Sequence, residues 1–295
     1  MKVGIAGTGR MGAAIAERLL ARSHELTVWN RTAEKTRGLA AAGASVAATP
    51  QELATKADVV ITMLTDAAAI DATYRGARGL LAGDVRGRLF IDMSTVRPEV
   101  EKALAASVKA KGAALIECPV GGTVGPARDG KLFGFVGGEP ADVSRARPLL
   151  DDMCRRVEHV GPIGTGASVK LAISLPLLVY YQAFGEALSL CRSVGVDPAR
   201  LIDIFADSSG GPNMLKVRGP AIAATLQGKE TAPVTFDVDL IRKDLRTMLE
   251  EAAALGVELP LTANALARYD EAARDGIGAS DATMLPAHWL RRSRK

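Results

Sequence analysis

Met1-Lys2-Val3-Gly4-Ile5-Ala6-Gly7-Thr8-Gly9-Arg10-Met11-Gly12-Ala13-Ala14-Ile15-Ala16-Glu17-Arg18-Leu19-Leu20 changes character twice. Val3 to Ala6 is a short apolar, β-leaning run without charge. Gly7-Thr8-Gly9-Arg10-Met11-Gly12 breaks it. From Met11 the spacing is helical: Met11, Ile15 and Leu19 recur every four residues, with Gly12, Ala13 and Ala16 between them. Strand, tight glycine turn and helix is the order a dinucleotide site needs. Gly7 permits a sharp turn. Gly9 has no side chain to hold a pyrophosphate off the backbone. Gly12 lets the helix pack closely on its strand. The first helical N–H groups have no partner within the helix, and the helix dipole is positive there, so this end suits phosphate. Gly7, Thr8, Gly9, Arg10, Met11 and Gly12 are therefore candidate cofactor residues.

Residues 25–29 read as the second strand, followed by Asn30-Arg31-Thr32. An acidic residue here would accept hydrogen bonds from the ribose hydroxyls of NAD, and the chain has none. Asn30 keeps hydrogen-bonding capacity without repelling phosphate, Arg31 offers a planar cation and Thr32 a hydroxyl. The predicted cofactor is NADP(H). Asn30 and Thr32 can also shape a turn and cap a helix starting near Ala33.

Strand and helix patterns then alternate. Residues 57–63 end in Met63-Leu64-Thr65-Asp66, and 88–93 end in Asp92-Met93-Ser94-Thr95. Ligands of open parallel sheets bind at the carboxyl ends of strands, so both segments point toward the cofactor, with Met63 and Leu64 as candidate contacts. Residues 113–117 form a further strand entering the glycine-rich stretch 118–130. Its glycines free backbone N–H groups to face an anion such as a carboxylate. Residues 133–136 and 157–160 extend the sheet.

Gly161-Pro162-Ile163-Gly164-Thr165-Gly166 marks the domain boundary, because Gly and Pro cluster and the alternation stops. The fold class is α/β: a Rossmann dinucleotide-binding domain over 1–162 and an all-helical domain over 163–295. Residues 167–194 are a long apolar helix that Pro176 should kink, expected to be buried on most sides, either between the two domains or in a dimer. Further helices are predicted at 198–207, 239–255 and 261–275. In the second of these, Ile241, Leu245, Met248, Ala252 and Leu255 share one face, Gly256 closes it and Pro260 precedes the next. Lys170 follows the glycine hinge in an otherwise apolar stretch. Desolvation there would favour a neutral amine and a nearby carboxylate a charged one, which is how a lysine is tuned to pass a proton.

The 295 residues are 48% hydrophobic and 24% charged, ordinary for a globular protein with one large core or two. The net charge of +4 owes much to the tail 291–295, a solvated end, and nucleic-acid binding is not indicated. Three well-separated cysteines, Cys118, Cys154 and Cys191, suit free thiols in a reducing compartment. No metal set is read. Residues 171–184 are the nearest approach to a bilayer span and too short for one. With a strand rather than a signal peptide at the start, a cytoplasmic location is expected.

Taken together, these residues resemble the β-hydroxyacid dehydrogenase family, which includes 3-hydroxyisobutyrate dehydrogenase and the glyoxylate/succinic semialdehyde reductases. Four motifs carry the likeness in order over nearly the whole chain: residues 4–12; Glu117-Cys118-Pro119-Val120-Gly121-Gly122-Thr123; Gly164-Thr165-Gly166-Ala167-Ser168-Val169-Lys170; and Lys243-Asp244-Leu245. The resemblance implies hydride exchange between nicotinamide and a substrate carbonyl carbon, with Lys170 handling the proton on oxygen. It implies Thr95 beside the nicotinamide, and N–H groups near Gly121, Gly122 and Thr123 on a substrate carboxylate. It also implies Ser174 facing the substrate, Lys243 closing over cofactor and substrate, and a long helix joining the domains in a homodimer or homotetramer. Two positions depart from the family pattern: Gly121 replaces a usual serine, and Ser174 a usual asparagine. Arg128, Lys131, Asn213 and Lys216 could compensate, or be plain surface. Two other readings stay open, an imine reductase, which usually lacks a lysine at 170, and a non-catalytic NADP(H)-binding protein.

Overall fold

The computed structural model describes residues 1–229 and 233–292. The last residues of the basic tail, 293–295, lie outside it. Two compact units are present, Met1–Leu171 and Ala172–Lys295.

The first unit alternates strands and helices: β1 (Lys2–Ala6), α1 (Arg10–Ala21), β2 (Glu25–Trp29), a 3-10 turn (Ala33–Thr36), α2 (Arg37–Ala41), β3 (Ser45–Val46), α3 (Pro50–Lys56), β4 (Val59–Thr62), α4 (Ala67–Arg75), β5 (Leu89–Asp92), α5 (Pro98–Ala110) and β6 (Ala114–Glu117). Then come β7 (Val120–Gly121), α6 (Val124–Arg128), β8 (Leu132–Gly137), α7 (Pro140–Met153) and β9 (Cys154–Gly161). Strands 1 to 6 are parallel in the order β3-β2-β1-β4-β5-β6. This is the doubly wound arrangement, with its switch point between β1 and β4. β8 runs antiparallel to β6 and β7, and β9 parallel to β8.

Alternation along each strand sends side chains to both faces, and helices cover both. On one side Val3, Ile5, Ile61 and Ile91 pack with Ile15 and Leu19 of α1 and Leu149 and Leu150 of α7. On the other Val60, Phe90 and Leu115 pack with Leu53, Tyr74 and Leu104. β3 and β7, two residues each, carry no alternation long enough to be read from sequence.

The long helix α8 (Thr165–Leu190) continues through Pro176, and the division between the units falls inside it, whereas the sequence places the boundary at residue 162. By length and composition alone α8 could cross a membrane, which the sequence reading did not allow. Its Leu178, Tyr181, Phe184 and Leu188 are buried, as in the core helix of a folded unit. Ile173 and Leu190 on the same helix are exposed in the single chain.

The second unit is helical among the described residues: the rest of α8, α9 (Pro198–Ala206), α10 (Asn213–Leu226), α11 (Val238–Leu255), α12 (Pro260–Ala272) and α13 (Leu285–Arg292). The buried face of α11 holds Ile241, Leu245, Met248 and Ala252, but Leu255, its last residue, is exposed. Gly256 follows in the left-handed conformation, and Pro260 is the first residue of α12. Sequence missed α10 because Gly219 and Pro220 interrupt its pattern. Asp281 ties this unit together: it accepts from the N–H of Thr235 (2.8 Å) and Thr283 (3.1 Å) and from the Arg218 guanidinium (3.2 Å).

Candidate active site and cofactor cleft

The glycine turn sits where β1, β2 and β4 end. Gly7 N–H donates to the Trp29 carbonyl (2.9 Å), and Met63 N–H to that of Ala6 (3.1 Å). Gly7 has φ +99°, and a side chain there would run into the Met63 carbonyl. A side chain at Gly12 would run into the carbonyl of Gly7. By contrast, a Cβ at Gly9 would meet nothing within 4 Å, so the backbone is open on the side where α1 begins. Such a turn fits a pyrophosphate at a helix N-terminus.

A cleft of about 420 Å³ opens beside it. Gly7, Gly9, Asn30, Arg31, Thr32, Met63 and Leu64, all read from sequence as cofactor residues, line it. Trp29, Pro50, Ala69 and Ala72 give it apolar walls. Arg31, Lys35 and Arg78 bring three cations, and among the described residues no carboxylate lines it. Sequence reasoning missed Lys35 and Arg78, one in a 3-10 turn and the other beyond α4, because neither stands at a strand end. Of the remaining candidates, Thr8 is buried and Arg10, Met11 and Gly12 form the first turn of α1.

Asn30 shapes the turn. Its Oδ1 accepts from Thr8 N–H (3.0 Å), and its Nδ2 donates to the Thr32 carbonyl (3.0 Å). The Thr8 hydroxyl donates to the Lys35 carbonyl (3.3 Å). Both ends of the Asn30 amide thus hold loops together and leave Arg31 and Thr32 exposed at the rim. Thr32 makes no side-chain cap to the turn that follows.

Below the cleft lies a buried polar cluster that the sequence did not reveal. Asp92 accepts from Ser94 N–H (2.8 Å) and the Thr62 hydroxyl (2.5 Å), and Ser94 Oγ accepts from Leu64 N–H (3.0 Å). These bonds fix the loop carrying Thr95 against the one carrying Leu64. Burial raises the Asp92 carboxyl above its usual range, and burial followed by repulsion from Asp92 and Glu117 holds Glu101 well above its own. Burial also pushes Glu117 up, to about 7. Cys118 and Cys154 are buried free thiols, and burial raises both, as for inert structural cysteines.

Lys170 is half-buried in the second turn of α8. Gly121 belongs to β7, paired opposite Phe133 of β8, and is more ordered than a glycine loop. Gly122 and Thr123 follow it into α6, which starts after Thr123. Arg128 and Lys131 are engaged at the surface, with Glu17 (2.5 Å) and Asp129 (3.3 Å). Asn213 is exposed, and Lys216 lines a groove between α9 and α10. Ser174 and Lys243 belong to the second unit, where Lys243 pairs with Asp244 (2.6 Å). Among the described residues, no group of three or more His, Cys, Asp or Glu could hold a metal ion.

A doubly wound sheet with a glycine turn at its switch point and a basic cleft beside it defines a nicotinamide-dinucleotide-dependent dehydrogenase fold. Residues 2–161 match the NAD-binding domain of 6-phosphogluconate dehydrogenase, and 164–288 match the NAD-binding domain of NADP-dependent 3-hydroxyisobutyrate dehydrogenase. The chain belongs to the β-hydroxyacid dehydrogenase family. It is 36% identical over 264 residues to a 3-hydroxyisobutyrate dehydrogenase of Pseudomonas aeruginosa, covering 89% of this chain and 88% of that one. It is 30% identical over 282 residues to glyoxylate/succinic semialdehyde reductase 2 of Arabidopsis thaliana, covering 95% and 77%. The solved complex of Psf3 with NADP+ and 2-OPP superposes with a TM-score of 0.85 at 30% identity, covering 97% of this chain and 99% of that one.

Proposed function

We propose that the chain is an NADP(H)-dependent oxidoreductase that moves a hydride between nicotinamide and a small β-hydroxyacid or aldehyde acid, with Lys170 as the general acid and base. One observation carries the cofactor choice: three cations and, among the described residues, no carboxylate line the cleft at the end of β2. In this reading Arg31, a planar cation, binds the 2′-phosphate, with Lys35 and Arg78 adding charge. The bound nicotinamide supplies or accepts the hydride. Lys170 gives a proton to the carbonyl oxygen in reduction and takes it from the hydroxyl in oxidation. The segment Gly121, Gly122 and Thr123 receives the substrate carboxylate, and Thr95 flanks the nicotinamide.

Four exposed apolar side chains in the helical unit, Leu190, Val217, Leu255 and Leu261, support a homodimer or homotetramer. The cysteines, all unpaired, support a reducing compartment such as the cytoplasm.

The test is NADPH against NADH oxidation with glyoxylate and succinic semialdehyde, in wild type and Lys170→Ala. NADPH should be preferred, and the variant should lose turnover by a factor of about 10² or more while keeping NADPH affinity. A preference for NADH sinks the cofactor reading. Turnover that survives in Lys170→Ala sinks the role of the lysine.

A further inference from the structure

Glu117 ends β6 within the motif read as a substrate segment, and its side chain bonds to the start of α8. It is fully buried and reaches the glycine turn before α8. Oε1 accepts from the N–H of Gly164 (2.5 Å) and of Gly166 (2.9 Å), and Oε2 accepts from the N–H of Ala167 (3.1 Å). Since α8 starts at Thr165, two of these donors belong to its first turn, which has no partners of its own. The cap comes from a residue 47 to 50 positions earlier rather than from a neighbour. Gly137 of β8 makes the room, because a side chain there would collide with Oε1.

We infer that Glu117 is a positioning residue whose ionised carboxylate fixes the first turn of α8 and so aims Lys170, one turn further along. This rests on the reading of Lys170 as acid and base. Protonation would remove the charge that strengthens all three bonds and turn one oxygen into a hydroxyl, a weaker acceptor, so the cap would loosen. Burial raises the Glu117 carboxyl to about 7 against the pull of its three backbone donors, with Asp92 pushing it further up. The cap therefore changes state near neutral pH.

The other charged or titratable groups around the turn are few. Asp92 stands opposite Glu117 in the β5–β6 ladder, and Glu101 and Lys102 lie on α5. Lys102 lies over Gly164. His159 on β9 places Nε2 against the carbonyls of Gly138 (2.9 Å) and Gly161 (3.0 Å). Cys118 adjoins Glu117 in sequence.

Hydrogen exchange of residues 164–170 in the whole protein, corrected for the intrinsic pH dependence, reads the cap without needing turnover. Protection should rise as pH passes upward through about 7 in wild type and in His159→Gln. It should be low at every pH in Glu117→Gln. In kinetics with NADPH and glyoxylate or succinic semialdehyde, Glu117→Gln should lower kcat about tenfold or more. It should leave the KM for NADPH unchanged and abolish the rise in kcat across neutral pH. Glu117→Asp, charged but one methylene shorter, should keep that rise at reduced kcat. It also serves if the glutamine variant fails to fold. Equal protection in wild type and Glu117→Gln, or a glutamine variant with wild-type kcat and an intact rise, overturns the inference. Turnover retained in Lys170→Ala, with Glu117-dependent protection intact, overturns instead the catalytic reading beneath it.

Discussion

Gly121 is a glycine that the backbone does not require. Its φ is not left-handed, and an added Cβ would meet Phe135 Cε2 at 3.7 Å and Phe133 Cβ at 3.8 Å, ordinary contacts. Gly122 beside it differs: its φ is +126°, and a Cβ would lie 2.8 Å from Leu132 Cδ2. Packing therefore explains the second glycine and not the first. Gly121→Ser should leave stability within about 0.5 kcal/mol. If the new hydroxyl reaches a substrate carboxylate, kcat/KM for glyoxylate should rise about tenfold, the effect of a charge-assisted hydrogen bond of roughly 1.5 kcal/mol. Gly122→Ala should cost about 1–3 kcal/mol in backbone strain. Urea unfolding and steady-state kinetics check both. A destabilised Gly121→Ser would show that the pocket beside Phe135 is filled.

At the scale of elements, the start of α8 links stability to pH. The Glu117 carboxyl is raised from an ordinary 4.5 to about 7 by burial. Between those values the folded chain holds a proton that the unfolded chain has released. Stability therefore falls as pH rises through that window and levels off above it. The full span corresponds to roughly 3 kcal/mol. Asp92 and Glu101, also raised by burial, slope the same way. The measurable quantity is thus the difference between wild type and Glu117→Gln in urea midpoints across that range, and parallel curves would contradict it. Sequence showed the longer strands, the glycine turn and the long helix because each carries its own periodicity or punctuation. It did not show the cap on α8, whose donors and acceptor are separated by three strands and two helices. Nor did it show Asp92 and Glu101, since a buried acid and an exposed one look alike in a chain. Lys35 and Arg78 escaped for the same reason: only the fold brings them to Arg31.

Across the whole molecule, each half matches a family of nicotinamide-dependent dehydrogenases, so ligand binding should appear as global stability. NADPH at about a hundred times its Kd should add about 2.7 kcal/mol to the free energy of unfolding. NADH at the same concentration should add less, and Lys170→Ala should respond as wild type does. Thermal melts with each nucleotide check this, and an equal or larger shift with NADH would remove the case for a 2′-phosphate site. The two-part organisation was legible because the Gly-Pro hinge interrupts the alternation, although the compact units divide after Leu171, within the helix that follows. One feature of the cleft reaches into spectroscopy. The chain has only two tryptophans. Trp29 lines the nucleotide cleft, while Trp289 packs on Gly185 in the helical unit. Indole emission overlaps the absorption of reduced nicotinamide, so one of the two indoles would stand beside a natural quencher once the cleft is filled. Trp29→Phe would leave Trp289 as the sole indole emitter, and the difference between the two proteins would report the filling of the cleft without any added dye.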